Sequence, residues 1–248
     1  MKADPTVQLR LLDLQQLDTR LSQIAHARAR IPQQAELEAA HARLGKVQDA
    51  VIMAQTQVSD VERELARAEG DVQLVRDRAT RDRSRLESGQ GSAKDLQALQ
   101  HELESLARRQ ATLEDVELEV MERAEEVRAR LDDATAQVPA AEAEVARLTD
   151  ELAAARADLD AQEREVSAPR TSILAEIDDP LLALYDRVRA QSGGLGAAPL
   201  RARRCGGCQL ELNPVELNRM AAAPEDEVLR CEECGRIVVR TDESGLPA

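Results

Sequence analysis

The sequence predicts a mainly α chain: a long, kinked antiparallel coiled-coil hairpin followed by a small C-terminal module of short β strands built around cysteine. Three observations carry this reading. Apolar residues recur every three and four positions through two long stretches. A glycine-bearing turn separates those stretches. All four cysteines, Cys205, Cys208, Cys231 and Cys234, fall in two C-x2-C pairs separated by 22 residues.

Composition excludes an ordinary globular core. The 248 residues contain no Phe and no Trp, and Tyr185 is the one aromatic side chain. Ala, Leu, Glu, Arg, Asp and Gln dominate, the bias of long helices. The formal net charge of −14 favours solubility and repels phosphate backbones and anionic lipid. No apolar run approaches the roughly 18 residues that span a bilayer. The opening "MKADPTVQLRLLDLQQLD" carries acids in its apolar stretch and no small-residue cleavage site. The expectation is a cytoplasmic protein away from membranes, where paired cysteines favour metal over disulfide.

The first arm runs from Leu44 to Leu86. Its repeat passes through Leu44, Val47, Val51, Ala54, Val58, Val61, Leu65, Ala68, Val72, Val75, Ala79, Asp82 and Leu86, with Asp82 as the polar exception. The second arm runs from Leu96 to Val166 with Gln110, Glu117 and Gln162 as exceptions. A sustained seven-residue repeat means a left-handed coiled coil. Between them lies "LESGQGSAKDL". Gly89 suits a left-handed C-cap, and Ser92 with Asp95 forms a capping-box-like start. The chain therefore turns back near residues 88–92, and each arm of about 45 residues extends about 70 Å.

Pro32 and Pro139 each remove a helical N–H, so both arms are expected to kink or break near these positions. Before Pro32 the apolar stripe (Val7, Leu9, Leu11, Leu12, Leu14, Leu17, Leu21, Ile24 and Ile31) is too wide for a two-helix seam. It needs a third partner, and the segment after Pro180, "LLALYDRVRA", supplies apolar residues for one. The domain reading is a hairpin over 1–168, a linker with a short base-packing helix over 169–198, and the cysteine module over 199–248.

Two C-x2-C knuckles supply four thiolates for one tetrahedral metal ion, and zinc is the metal such sets prefer. Gly206 and Gly207 inside the first knuckle and Gly235 after the second fit tight turns. "QLEL", "EVL" and "IVV" read as short strands of a zinc ribbon. Asn213, Pro214 and Glu216 mark a helix start. A duplicated pair at this spacing is not a redox motif, and no βαβ pattern surrounds it. His26, His41 and His101 lie far upstream as solvated helix residues. One structural zinc ion per chain is expected, with no catalytic residue, no small-molecule substrate and no enzyme activity.

Charge bears on partners. Residues 199–248 hold seven arginines against nine acids, and four thiolates on Zn2+ add −2. This module lacks the aromatic platforms on which bases stack. Its candidate contacts are Arg201, Arg203 and Arg204, with Arg236 beyond. The hairpin tip is locally basic and offers Arg81, Arg83, Arg85 and Lys94.

The stretches "GSAKDLQALQHELESL", "DPLLALYDRVR", "CGGC" and "CEECGR" resemble the bacterial C4-type zinc-ribbon (DUF164) family, whose members include flagellar and type III secretion regulators of Helicobacter and Chlamydia. The resemblance spans essentially the whole chain. It implies a non-enzymatic cytoplasmic adaptor or regulator that binds macromolecular partners, as a monomer or dimer. Family members are thought to bind the flagellar sigma factor and a flagellin transcript. Protein partners are the first expectation. A regulator acting on mRNA, ribosome, RNA polymerase or sigma factor is the alternative. The family pattern often places an aromatic residue after the last knuckle, where this chain has Val238, Val239 and Arg240.

Overall fold

A computed structural model describes residues 1–246. Five helices and four strands follow one another in the order α1 (Pro5–Arg28), α2 (Pro32–Glu87), α3 (Ala93–Leu174), α4 (Asp179–Gln191), β1 (Ala197–Arg201), β2 (Arg204–Cys205), α5 (Pro214–Ala222), β3 (Leu229–Arg230) and β4 (Ile237–Val239). The strands form one sheet in the order β2-β1-β4-β3. β1 and β4 are parallel, with Ala198 opposite Val238, and the other two pairs are antiparallel. The chain divides into two compact units, residues 35–149 and residues 1–34 with 150–248. This division cuts across the chain-order boundaries at 168 and 198.

Residues 35–149 hold the hairpin. Every position of the two predicted repeats is buried or half-buried, including Asp82, Gln110 and Glu117. Val61 and Leu65 pack against Val120 and Ala124 at one tight layer. Ion pairs Glu62–Arg128, Glu64–Arg123, Arg76–Glu114 and Arg78–Glu102, at 2.6 to 2.8 Å, run in opposite directions along the two arms and set the register. At the turn Gly89 takes a φ of +67°. The Ser92 N–H donates to Asp95 Oδ2 at 3.0 Å, and the Asp95 N–H donates back to Ser92 Oγ at 3.3 Å.

The two prolines behave differently. Pro32 opens α2, where its missing N–H leaves nothing unpaired, and the chain breaks after Ala29. Pro139 sits inside α3, which continues on both sides, so of the expected kink or break a break does not occur on this arm. Its exposed ring leaves the seam residues Val138 and Ala141 in place.

In the second unit the wide stripe of α1 finds its third partner as expected. Leu11 and Leu14 pack with Ile177, Leu181 and Tyr185. The same cluster also takes in Ala197, Ile237 and Val239 from the strands and Val228 just before β3. One core is thus shared by α1, α4 and the sheet, which periodicity could not reveal. Its polar centre is Asp18, 1% exposed. Asp18 accepts hydrogen bonds from the Tyr185 hydroxyl at 2.7 Å and Arg170 Nε at 2.7 Å. Arg189 Nε lies 3.5 Å away as an ion pair without hydrogen-bond geometry. Gln15 Oε1 accepts from the Gly196 N–H at 2.6 Å and lies 3.1 Å from the same Tyr185 hydroxyl, whose one proton goes to Asp18. Burial pushes the Tyr185 phenol far up, and the Asp18 carboxylate adds to the shift.

The N-terminal residues are stitched to the approach to β3. The Ala3 N–H donates to the Asp226 carbonyl at 2.7 Å, and the Val228 N–H to the Met1 carbonyl at 3.0 Å.

Candidate metal centre

The two knuckles are built alike. In each, the residue after the second cysteine adopts a left-handed conformation: Gln209 at φ +63° and Gly235 at φ +70°. Each sends its N–H to the carbonyl of the first cysteine, at 2.7 Å to Cys205 and 2.8 Å to Cys231. Each first cysteine sits at a strand end, donating its N–H to the carbonyl of Leu210 or Arg236 at 3.0 Å. The sheet brings the knuckles together, because β1 leads to the first and β4 leaves the second.

All four Sγ atoms lie within 4.8 Å of one another. The Cys205–Cys234 and Cys208–Cys231 separations are each 3.9 Å. A tetrahedral ion with Zn–S bonds of about 2.3 Å requires S···S edges of about 3.8 Å, which these two separations match. Disulfides need about 2.05 Å, and all four thiols are free. The four cysteines are therefore positioned to bind metal.

Burial pushes the Cys205 and Cys231 thiols up, against the backbone N–H bonds that favour their thiolates. Burial opposes ionisation of Cys234 too, but the Arg236 N–H and guanidinium and the adjoining thiols outweigh it and bring this group to about 7. A divalent cation would reverse the burial effect at the other two.

Two side chains outside the knuckles hold this geometry. Arg236 donates from Nε to the Leu195 carbonyl at 3.1 Å and from Nη2 to the Ser192 carbonyl at 2.8 Å. Its stem lies over Gly207, where an added Cβ would stand 2.6 Å from Arg236 Cδ. Glu216, 1% exposed, accepts the Glu232 N–H beside Cys231 at 2.9 Å. Asn213 Oδ1 caps α5 by accepting the Glu216 N–H at 2.8 Å. Sequence reasoning read Glu216 only as a helix-start acid and Arg236 as an outward contact. No local signal distinguishes an inward from an outward charge at these spacings.

The remaining candidates scatter. Arg201 pairs with Glu243 at 2.5 Å, and Arg204 reaches Glu211 at 3.9 Å. Ala202 and Arg203 form the tight turn between β1 and β2, both at positive φ. "QLEL" is not a strand. Only Glu211 makes an isolated bridge, to Arg204, while Leu210 faces solvent. The strand beside the first knuckle is instead "AAPLR", whose small residues fit under α1. At the hairpin turn Arg85 lies 3.9 Å from Asp82, whereas Arg81, Arg83 and Lys94 make no ion pair among the described residues. A cleft of about 730 Å³ separates α1 (Gln16, Thr19, Gln23) from Ala198, Pro199 and Thr241.

The profile of the CT398-like coiled-coil hairpin domain matches residues 14–193, and that of the C4-type zinc ribbon domain matches residues 204–238. The chain belongs to this coiled-coil and zinc-ribbon family. An uncharacterised protein of Mycobacterium tuberculosis is 40% identical over 242 residues, covering 98% of each chain. A Mycobacterium smegmatis structure is 37% identical with a TM-score of 0.82, covering 97% of this chain and all of that one. CT398 of Chlamydia trachomatis shares the fold at 18% identity, with a TM-score of 0.65 over 95% of this chain and 98% of its own. These are the relationships that the tip, helix and knuckle stretches implied. No helix among the described residues is long and apolar enough to cross a membrane.

Proposed function

We propose that the protein is a non-enzymatic cytoplasmic adaptor, which binds protein partners through its coiled-coil hairpin and carries one structural zinc ion per chain. The observation that carries this reading is the closed sulfur cradle. Cys205, Cys208, Cys231 and Cys234 would take all four tetrahedral positions of a bound ion, leaving none for a substrate or activated water. When bound, zinc supplies charge neutralisation and cross-linking of the two knuckles. The chain's own residues orient them, with Arg236 holding the linker and Glu216 holding the turn after Cys231. The hairpin adds a long exposed surface of the kind used for protein contact.

A nucleic-acid role has less support. Arg236 is turned inward and Arg201 is paired with Glu243. Arg204 reaches Glu211 at 3.9 Å, which leaves Arg203 as the outward arginine of that group without an ion pair among the described residues.

The test is affinity purification of the full chain from its native cells, with RNase treatment. The reading predicts a protein partner that survives RNase and is lost when either the hairpin turn or the ribbon surface is altered. Recovery of RNA alone, or partners indifferent to both alterations, would sink it.

A further inference from the structure

Leu74 is 68% exposed on α2, outside the seam between Val72 and Val75. At helical spacing it stands in line with Arg78, Arg81 and Arg85, four, seven and eleven residues on. These four side chains make one stripe about 16 Å long. The acids around it neutralise the stripe only in part. Glu102 holds Arg78 at 2.7 Å, Asp82 is half-buried in the seam at 3.8 to 3.9 Å from Arg78 and Arg85, and Asp77 accepts from Gln73 at 2.7 Å. Arg81 makes no ion pair among the described residues. In a chain of net charge −14, residues 76–95 carry six cations against four acids.

We propose that this stripe docks an acidic amphipathic helix of a protein partner, with carboxylates spaced three and four residues apart facing Arg78, Arg81 and Arg85 and an apolar side chain against Leu74. The proposal rests on the adaptor reading and names its partner class. Charge complementarity selects an acidic segment, and spacing matches a helix because carboxylates on one helical face recur at the interval of these arginines. The apolar residue selects protein over nucleic acid. Leu74 offers nothing to a phosphate backbone, and no aromatic side chain stands by to stack a base. A polyanion would also meet the field of the whole acidic chain.

The experiment places the photocrosslinker p-benzoylphenylalanine at position 74 of the full zinc-loaded chain in its native cells. The same crosslinker at position 52 is the control. Ile52 is 59% exposed on the same helix, but its neighbours three and four residues away are Gln48, Asp49, Gln55 and Thr56. The expected result is a protein adduct at position 74, absent at 52, whose crosslinked peptide carries acids at helical spacing. Combining Arg81→Ala with Arg85→Ala should lower its yield about fivefold, the loss of two exposed ion pairs. These side chains lie outside the seam, so helicity by circular dichroism should not change. An RNase-sensitive adduct, a peptide without that acidic pattern, a second copy of the chain, equal yield at 52, a yield indifferent to the arginines, or no adduct at all would each overturn it. Loss of this site with partners still retained through the ribbon would leave the adaptor reading standing.

Discussion

Gln209 and Gly235 occupy the same left-handed position in the two knuckles, yet only Gly235 is free of the Cβ clash that makes this region unfavourable. Gln209→Gly is therefore expected to be neutral or stabilising by up to about 1 kcal/mol. Gly235→Ala should cost about 1 kcal/mol, since φ is +70° and the new Cβ would also press to 3.3 Å from Arg230 Nη2. Guanidinium denaturation of the zinc-loaded protein measures both. Glu216→Ala removes the carboxylate that accepts the part-buried Glu232 N–H and should destabilise the ribbon by about 1–3 kcal/mol. At this scale the clustering of the four cysteines is legible, because C-x2-C spacing is dictated by metal geometry. Their supports, Arg236 and Glu216, are not, because inward pointing depends on chain segments far away in sequence. The pH response follows from the thiols. Burial holds Cys205 and Cys231 protonated in the metal-free fold, so protons compete with the metal. Zinc affinity should fall as pH falls, with release on acidification measured by a colorimetric chelator. Affinity unchanged between neutral and acidic pH would contradict thiolate ligation.

Among the elements, α3 tests how strongly a seam overrides a local rule. Pro139 removes one backbone hydrogen bond and meets the carbonyl of the preceding turn, but the repeat on both sides keeps the helix going. The residue is exposed and lies outside the seam. Pro139→Ala should then stabilise the hairpin by up to about 3 kcal/mol, read as a higher thermal midpoint by circular dichroism. A lower midpoint would mean that the proline has a packing role. Periodicity made both arms legible residue by residue. It fails at β1, where "AAPLR" has no alternation and a proline, and at "QLEL", whose alternating leucines fit a strand that does not form. α1 carries another lesson. Its apolar residues announce a third partner, but nothing in their spacing marks the polar Gln8, Gln15 and Asp18 as buried. The Asp18–Tyr185 contact also sets an alkaline limit. The folded phenol is held above its unfolded value near 10, so its contribution is present below about pH 10 and is lost above it. Phenolate absorbance should appear only as this unit unfolds.

For the molecule as a whole, the ribbon is not an appendage. Ala197, Ile237 and Val239 sit in the same core as Leu11, Leu14 and Tyr185, and Gln15 binds the Gly196 N–H at the entry to β1. Metal binding in such modules carries about 10–16 kcal/mol, so the loaded cradle should stabilise α1 and α4 as well as the strands. Residues 35–149 have their own seam and need no such help. Hydrogen exchange before and after chelation of the metal tests this most directly. The prediction is that one zinc ion leaves per chain, and that amide protection at Gly196, Ala197 and across α4 falls together with that of the knuckles, while Ala54–Val75 stays protected. Protection of α4 and Gly196 that survived metal removal would contradict the account.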